Sequence, residues 1–226
     1  MEADCLALWA LVILLALQPL VGLLVVAEGP KGLGAPGPAA LPVAAPNAQN
    51  VELVGQIGGA CYAVAVQGNM AYVGLGPRLA VLDVSSPTSP TLLGQSAVLP
   101  GVVEGVVVAG SQAYVAAGSA GLRIVDVSSP ASPRELGDYD TADCATGVAL
   151  AGTLAYVADR EGGLRILDIS NPASPREVGF YITPGYALGL ALAGSLVYVA
   201  DYHGGLCILR YRPSAFVFLP LLLKPR

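Results

Sequence analysis

Tyr72, Tyr114, Tyr156 and Tyr198 are spaced at a constant 42 residues. Gly68, Gly110, Gly152 and Gly194 precede them by four residues and share that spacing. Asp83, Asp126 and Asp168 recur 43 and 42 residues apart, and Ser86-Pro87, Ser129-Pro130 and Asn171-Pro172 follow them. Self-similarity at such a period means that one supersecondary unit is repeated and that its neighbours supply its core. The unit Gly147–Tyr181 shows its content. Gly147–Leu150, Leu154–Ala158, Leu164–Ile169 and Arg176–Tyr181 are short, β-branched-rich runs separated by Gly or Pro turns. Four strands in about 42 residues is the pattern of a β-propeller blade. The first three strands are apolar on both faces, which predicts burial between neighbouring sheets. The fourth is more polar and is expected at an outer rim.

Counting strands predicts a four-bladed ring. Repeats begin near Ala60, Val102, Cys144 and Tyr186, and the last has three strands, ending near Tyr211. A spare strand of the fourth type stands at the front, where Val51–Gln56 matches Arg134–Asp138. The expected fold is all-β: four blades of four antiparallel strands, the last closed by the N-terminal strand, which removes the open edge of an array. A monomer is the expected state, with a larger ring assembled from two chains as the alternative.

Composition agrees. Apolar residues make up 54% and charged residues 12%, with 28 Gly and 18 Pro, which suits many short buried strands and turns and excludes disorder. The net charge is −5 and the arginines are scattered singly. Nucleic acid is therefore excluded as a partner, since binding it needs clustered cations. Four cysteines, Cys5, Cys61, Cys144 and Cys207, form no CxxC or Cys/His cluster, so no zinc site is expected. They read as small buried hydrophobes, with one intramolecular disulfide as the alternative.

Leu6–Ala27 is a nearly unbroken apolar run of 22 residues, long enough at ~1.5 Å per residue to cross a bilayer core of ~30 Å. Val25-Val26-Ala27 resembles a small-residue cleavage site. Residues 1–27 are therefore expected to be a signal peptide or membrane anchor, although Glu2 and Asp4 replace the usual basic n-region. Residues 28–50, rich in Pro, Ala and Gly, read as a semi-extended linker. The repeats occupy 51–211, and 212–226 form an apolar tail too short to span a membrane as a helix. The expected location is extracytoplasmic, secreted or anchored to the cell membrane, with membrane contact through the N-terminal run if it is not cleaved.

The third-strand segments Gly121-Leu122-Arg123-Ile124-Val125-Asp126-Val127-Ser128 and Gly163-Leu164-Arg165-Ile166-Leu167-Asp168-Ile169-Ser170 resemble the LVIVD repeat. The flanking Ala-Tyr-Val-Ala and Ser-Pro-x-Ser-Pro elements agree, and the resemblance covers residues 51–211. The first copy departs at Arg78–Asp83, one residue shorter, and the fourth has Arg210 in place of the Asp. The resemblance implies a β-propeller, usually exported or on the surface of bacteria and archaea, mostly without assigned biochemistry.

No GxSxG, phosphate-loop, HExxH or EF-hand pattern is present, so no catalytic, cofactor or metal residue is assigned. Asp83, Asp126 and Asp168 read as acceptors for turn N–H groups rather than metal ligands. The periodic tyrosines read as packing between blades rather than a ligand-stacking ladder. Function on a repeat scaffold sits where copies differ. The loops between second and third strands read Gly76-Pro77, Ser119-Ala120, Asp159-Arg160-Glu161 and Asp201-Tyr202-His203. The last two triplets are the candidate ligand surface, and Glu104 and Asp143, before the first strands, are expected near the channel mouth; the sequence leaves open whether they share a face with His203. Two functions follow. One is a non-enzymatic extracytoplasmic interaction or scaffold module, whose partner is an unidentified protein or envelope polymer. The other is a channel-mouth hydrolase or lactonase built on Asp201 and His203, the sole histidine.

Overall fold

The computed structural model describes residues 51–213. The expectations for residues 1–27 and 28–50, and those for the tail beyond Pro213, lie outside the described residues. The chain divides into two units, Met1–Gln56 and Ile57–Arg226, and the repeats occupy the second.

Four antiparallel meanders follow one another in that unit. The first sheet holds β1 (Cys61–Gln67), β2 (Met70–Leu75), β3 (Arg78–Asp83) and β4 (Thr91–Gln95). The second holds β5 (Gly105–Ala109), β6 (Gln112–Ala116), β7 (Leu122–Asp126) and β8 (Arg134–Tyr139). The third holds β9 (Gly147–Ala151), β10 (Leu154–Ala158), β11 (Leu164–Asp168) and β12 (Arg176–Tyr181). The fourth holds β13 (Gly189–Ala193), β14 (Leu196–Ala200) and β15 (Leu206–Leu209). The first strands form the inner row, with β1 packed on β5, β5 on β9 and β9 on β13.

The periodic glycines explain the hairpins. Each first hairpin turns through two residues, such as Gly152-Thr153 between paired Ala151 and Leu154. Gly152 has φ +59°, the positive value that a type II′ turn requires at its first central position. A bulge recurs where third and fourth strands pair, at Val81/Leu82, Ile124/Val125 and Ile166/Leu167, and increases the local twist of the sheet's outer margin.

The core lies between sheets. Leu79 and Val81 share a core cluster with Val103, just before β5, and with Val115 and Val125 of the second sheet. Leu122 and Ile124 meet Ala155, Val157 and Leu167 of the third. Leu164 and Ile166 meet Val197 and Val199 of the fourth. The second and third strands of the middle sheets carry this burial, whereas the inner β5 and β9 are only half-buried. The inner strands are thus less buried than expected, although both faces of β5 pack: Val106 and Val108 on the cluster shared with the first sheet and Val107 on the cluster shared with the third.

The expected closure by the N-terminal strand is not observed. Residues 51–56 carry no strand, with Val51, Leu53 and Val54 exposed, and the fourth sheet has three strands. Resemblance to β8 gives Val51–Gln56 the propensity of a strand, but a particular edge must supply the pairing.

Candidate functional site

The loop joining second to third strand needs a left-handed residue in every sheet. The first two use glycine, Gly76 (φ +57°) and Gly118 (φ +55°). The third and fourth place Arg160 (φ +40°) and Tyr202 (φ +38°) there. A side chain in this region costs about 1–3 kcal/mol and persists only where surroundings enforce it. The sequence therefore presents two large side chains where it elsewhere uses the unstrained residue.

The enforcing group is the preceding aspartate. Asp159 is fully buried. Its carboxylate accepts hydrogen bonds from Thr141 Oγ1 at 2.5 Å and the Asp143 N–H at 3.1 Å, and lies 3.5 Å from Arg165 Nε. Burial pushes its carboxyl above the usual range, opposed by those hydrogen bonds and by Arg165. Asp201 repeats the arrangement one blade on. It is fully buried and accepts from the Gly185 N–H at 2.8 Å. Thr183 Oγ1 and Asp201 Oδ1, the counterparts of the bonded Thr141–Asp159 pair, are both buried without a hydrogen bond. Asp159 and Asp201 thus lie inside the loops and hold backbone, away from the surface on which they were expected to meet a ligand.

The remaining candidates form two groups. Around the third loop, Asp143 Oδ2 accepts from the Glu161 N–H at 3.0 Å and the Glu161 side chain is exposed. Glu104 is half-buried; desolvation raises its carboxyl while the Arg160 charge opposes the rise. At the fourth loop, Tyr202–Gly204 form a single 3₁₀ turn. Tyr202 stacks on Tyr186 with centroids 6.2 Å apart, and the His203 ring sits 3.9 Å from that of Tyr202. His203 makes no hydrogen bond to Asp201 among the described residues; its ring lies on Tyr202, and the Asp201 carboxylate engages Gly185.

Sequence reading missed Tyr186 and the buried arginines. Arg123 meets Glu135 (3.4 Å), Asp138 (3.1 Å) and Asp140 (2.5 Å). Arg165 meets Glu177 at 3.4 Å and lies over the Phe180 ring at 5.2 Å. Ala80 and Cys207 occupy the same strand position in the other copies, and that difference was the available signal. The turn aspartates behave as expected: Asp83, Asp126 and Asp168 accept from the N–H groups of Ser85, Ser128 and Ser170. Cys61 and Cys207 are free thiols, the first exposed, whereas Cys144 is buried and disulfide-bonded, so the cysteines are not all the plain buried hydrophobes expected. No cluster of three or more metal-ligating side chains occurs among the described residues. A cavity of about 360 Å³ lies between β12 and the end of the fourth sheet, bounded by Leu164, Ile166, Phe180, Leu209 and Tyr211.

The LVIVD repeat family model matches residues 58–97, 100–141, 144–183 and 184–209, one match per sheet. Among solved structures, the chain is similar to the computationally designed Ika4 protein, with 14% identity and a TM-score of 0.59, covering 72% of this chain and 99% of that one. It is also similar to the computationally designed Ika8 protein, with 15% identity and a TM-score of 0.55, over 67% of this chain; it spans less than half, 46%, of that one. At these identities the likeness concerns the fold. No curated protein matches the chain.

Proposed function

Given that the chain belongs to the LVIVD-repeat family, we propose that it is a non-enzymatic, extracytoplasmic interaction module whose second-to-third-strand loops meet a protein or envelope polymer. The observation that carries this reading is the replacement of Gly76 and Gly118 by Arg160 and Tyr202 at left-handed positions. Backbone strain is retained where it places an exposed aromatic ring, Tyr202, and a partly buried arginine, Arg160, two residue types common in binding hot spots. Tyr186, His203 and Glu161 extend the displayed surface. The hydrolase reading finds less support, because the Asp201 carboxylate engages Gly185 and His203 lies on Tyr202. Placement outside the cytoplasm is supported by the apolar run Leu6–Ala27 and the Pro-rich spacer after it.

The test is a crosslinking pull-down from envelope extract with the native chain and the Arg160→Gly/Tyr202→Gly variant. The reading expects a partner that the native chain captures and the variant loses while keeping its fold. Equal capture by both, or none by either, would remove the loop face from consideration. Mass spectrometry of the mature protein checks the location by finding the processed or membrane-retained N-terminus.

A further inference from the structure

Every internal sheet-to-sheet contact uses the same two surfaces. The rear surface carries the leucine and β-branched residue of the third strand: Leu79 and Val81, Leu122 and Ile124, Leu164 and Ile166, all 5% exposed or less. Leu206 and Ile208 are their fourth copy and are 63% and 55% exposed. The front surface carries Val106 and Val108, Val148 and Leu150, or Leu190 and Leu192, each partly buried against the preceding sheet. Val64 and Val66 are their first copy and are 62% and 65% exposed. One chain therefore holds both halves of an interface that it makes three times elsewhere, and both halves are open.

The backbone tells the same story. The Val103 N–H donates to Gly76 O, Gly118 bridges Ala145, and Arg160 bridges Ala187. The register makes Tyr202 the next donor–acceptor residue and Cys61 its counterpart. Val103, Ala145 and Ala187 are fully buried, whereas Cys61 is exposed.

We infer that the occupant of both open faces is a second copy of this chain. The rear face of each fourth sheet packs on the front face of the other copy's first sheet, and a two-fold ring of eight blades results. The segment Val51–Gln56 precedes β1 as β8 precedes β9, so in this ring it lies beside the other copy's β15 and supplies that sheet's fourth strand. Repeat geometry favours a second copy over self-closure. Four sheets completing a circle turn by a right angle at each step, which separates fourth strands lying about 14 Å outside the first ones. Here the outer strand still meets its neighbour: a Cβ on Gly94 of β4 would lie 2.5 Å from the backbone of Ala131, in the turn between β7 and β8.

Native mass spectrometry of the full chain in mild detergent tests the ring. The expected species is twice the 22.8 kDa chain mass. Leu206→Glu/Ile208→Glu should give a folded monomer with an unchanged circular dichroism spectrum, and so should Val64→Glu/Val66→Glu on the other face. In a Cys207→Ser background, Tyr202→Cys should oxidise with Cys61 to a covalent dimer. A native chain that is monomeric or that gives a ladder of larger species, or a Tyr202→Cys variant that forms its Cys61 disulfide within one chain, would overturn the proposal.

Discussion

Asp168 accepts from the Ser170 N–H at 3.0 Å and from Arg176 at 2.9 Å, and these bonds hold its carboxyl down to about 2. Asp83 and Asp126 are lowered for the same reason, with their turn serines as donors. A lowered carboxyl contributes stability that is complete above the ordinary carboxylate range and is lost as the pH falls through the folded value. The melting-temperature difference between the native chain and Asp168→Ala should therefore be constant near neutrality and close between about pH 4 and pH 2. A difference unchanged across that titration would mean that charge plays no part in the turn. Asp159 has the opposite sign, because burial raises its carboxyl and its folded state disfavours ionisation as the pH rises. Its hydrogen bonds and Arg165 offset only part of that cost. Asp159→Ala would strand the Asp143 N–H and leave Arg165 with a partner fewer, so a loss of about 3 kcal/mol is expected in urea unfolding. Tyr202→Gly should move the other way. Relief of the left-handed strain slightly exceeds the added backbone entropy, for a change between zero and about 1 kcal/mol in favour of folding.

Carried from the Gly147–Tyr181 unit by the 42-residue spacing, the expected strands fall within about two residues of the fifteen seen among the described residues, with Val51–Gln56 the exception, because turn glycines and strand periodicity are local properties that one chain segment settles alone. The Asx turns were legible for the same reason. The burial of Asp159 and Asp201 was not: an acidic residue in a loop looks solvated until its neighbours in space, Thr141 and Gly185, are known. The fourth-strand glycines carry another message that local patterns hide. Gly94 and Gly137 lie against the wide Ser-Pro or Asn-Pro turn of the next sheet, at Pro130–Ala131 and Pro172–Ala173. These glycines let two backbones touch. Gly137→Ala should force the third sheet's turn outward and cost about 1–3 kcal/mol. Gly152→Ala also costs stability, but through its positive φ with open space around it. A backbone hydrogen-exchange comparison separates them: Gly137→Ala should weaken protection at Ser174, which donates to Asn171 O, and Gly152→Ala should not.

An array whose sheets touch only their neighbours has stability that is close to a sum of sheet and interface terms. Its two ends then differ from its middle for a reason that no single repeat contains. Leu122 and Leu206 are the same residue at the same strand position, yet one is fully buried and the other exposed. Truncating Leu122 to alanine removes packing between the second and third sheets and should cost about 2–5 kcal/mol. In an isolated chain, Leu206→Ala should cost under about 0.5 kcal/mol, as surface changes do. In a ring of two chains its cost should instead depend on protein concentration, because the lost packing belongs to association. Thermal unfolding of Leu206→Ala over a hundredfold dilution series therefore reads the assembly directly. A penalty that rises with protein concentration places Leu206 between chains; a small, constant one leaves it in solvent; a large, constant one places it within a single chain.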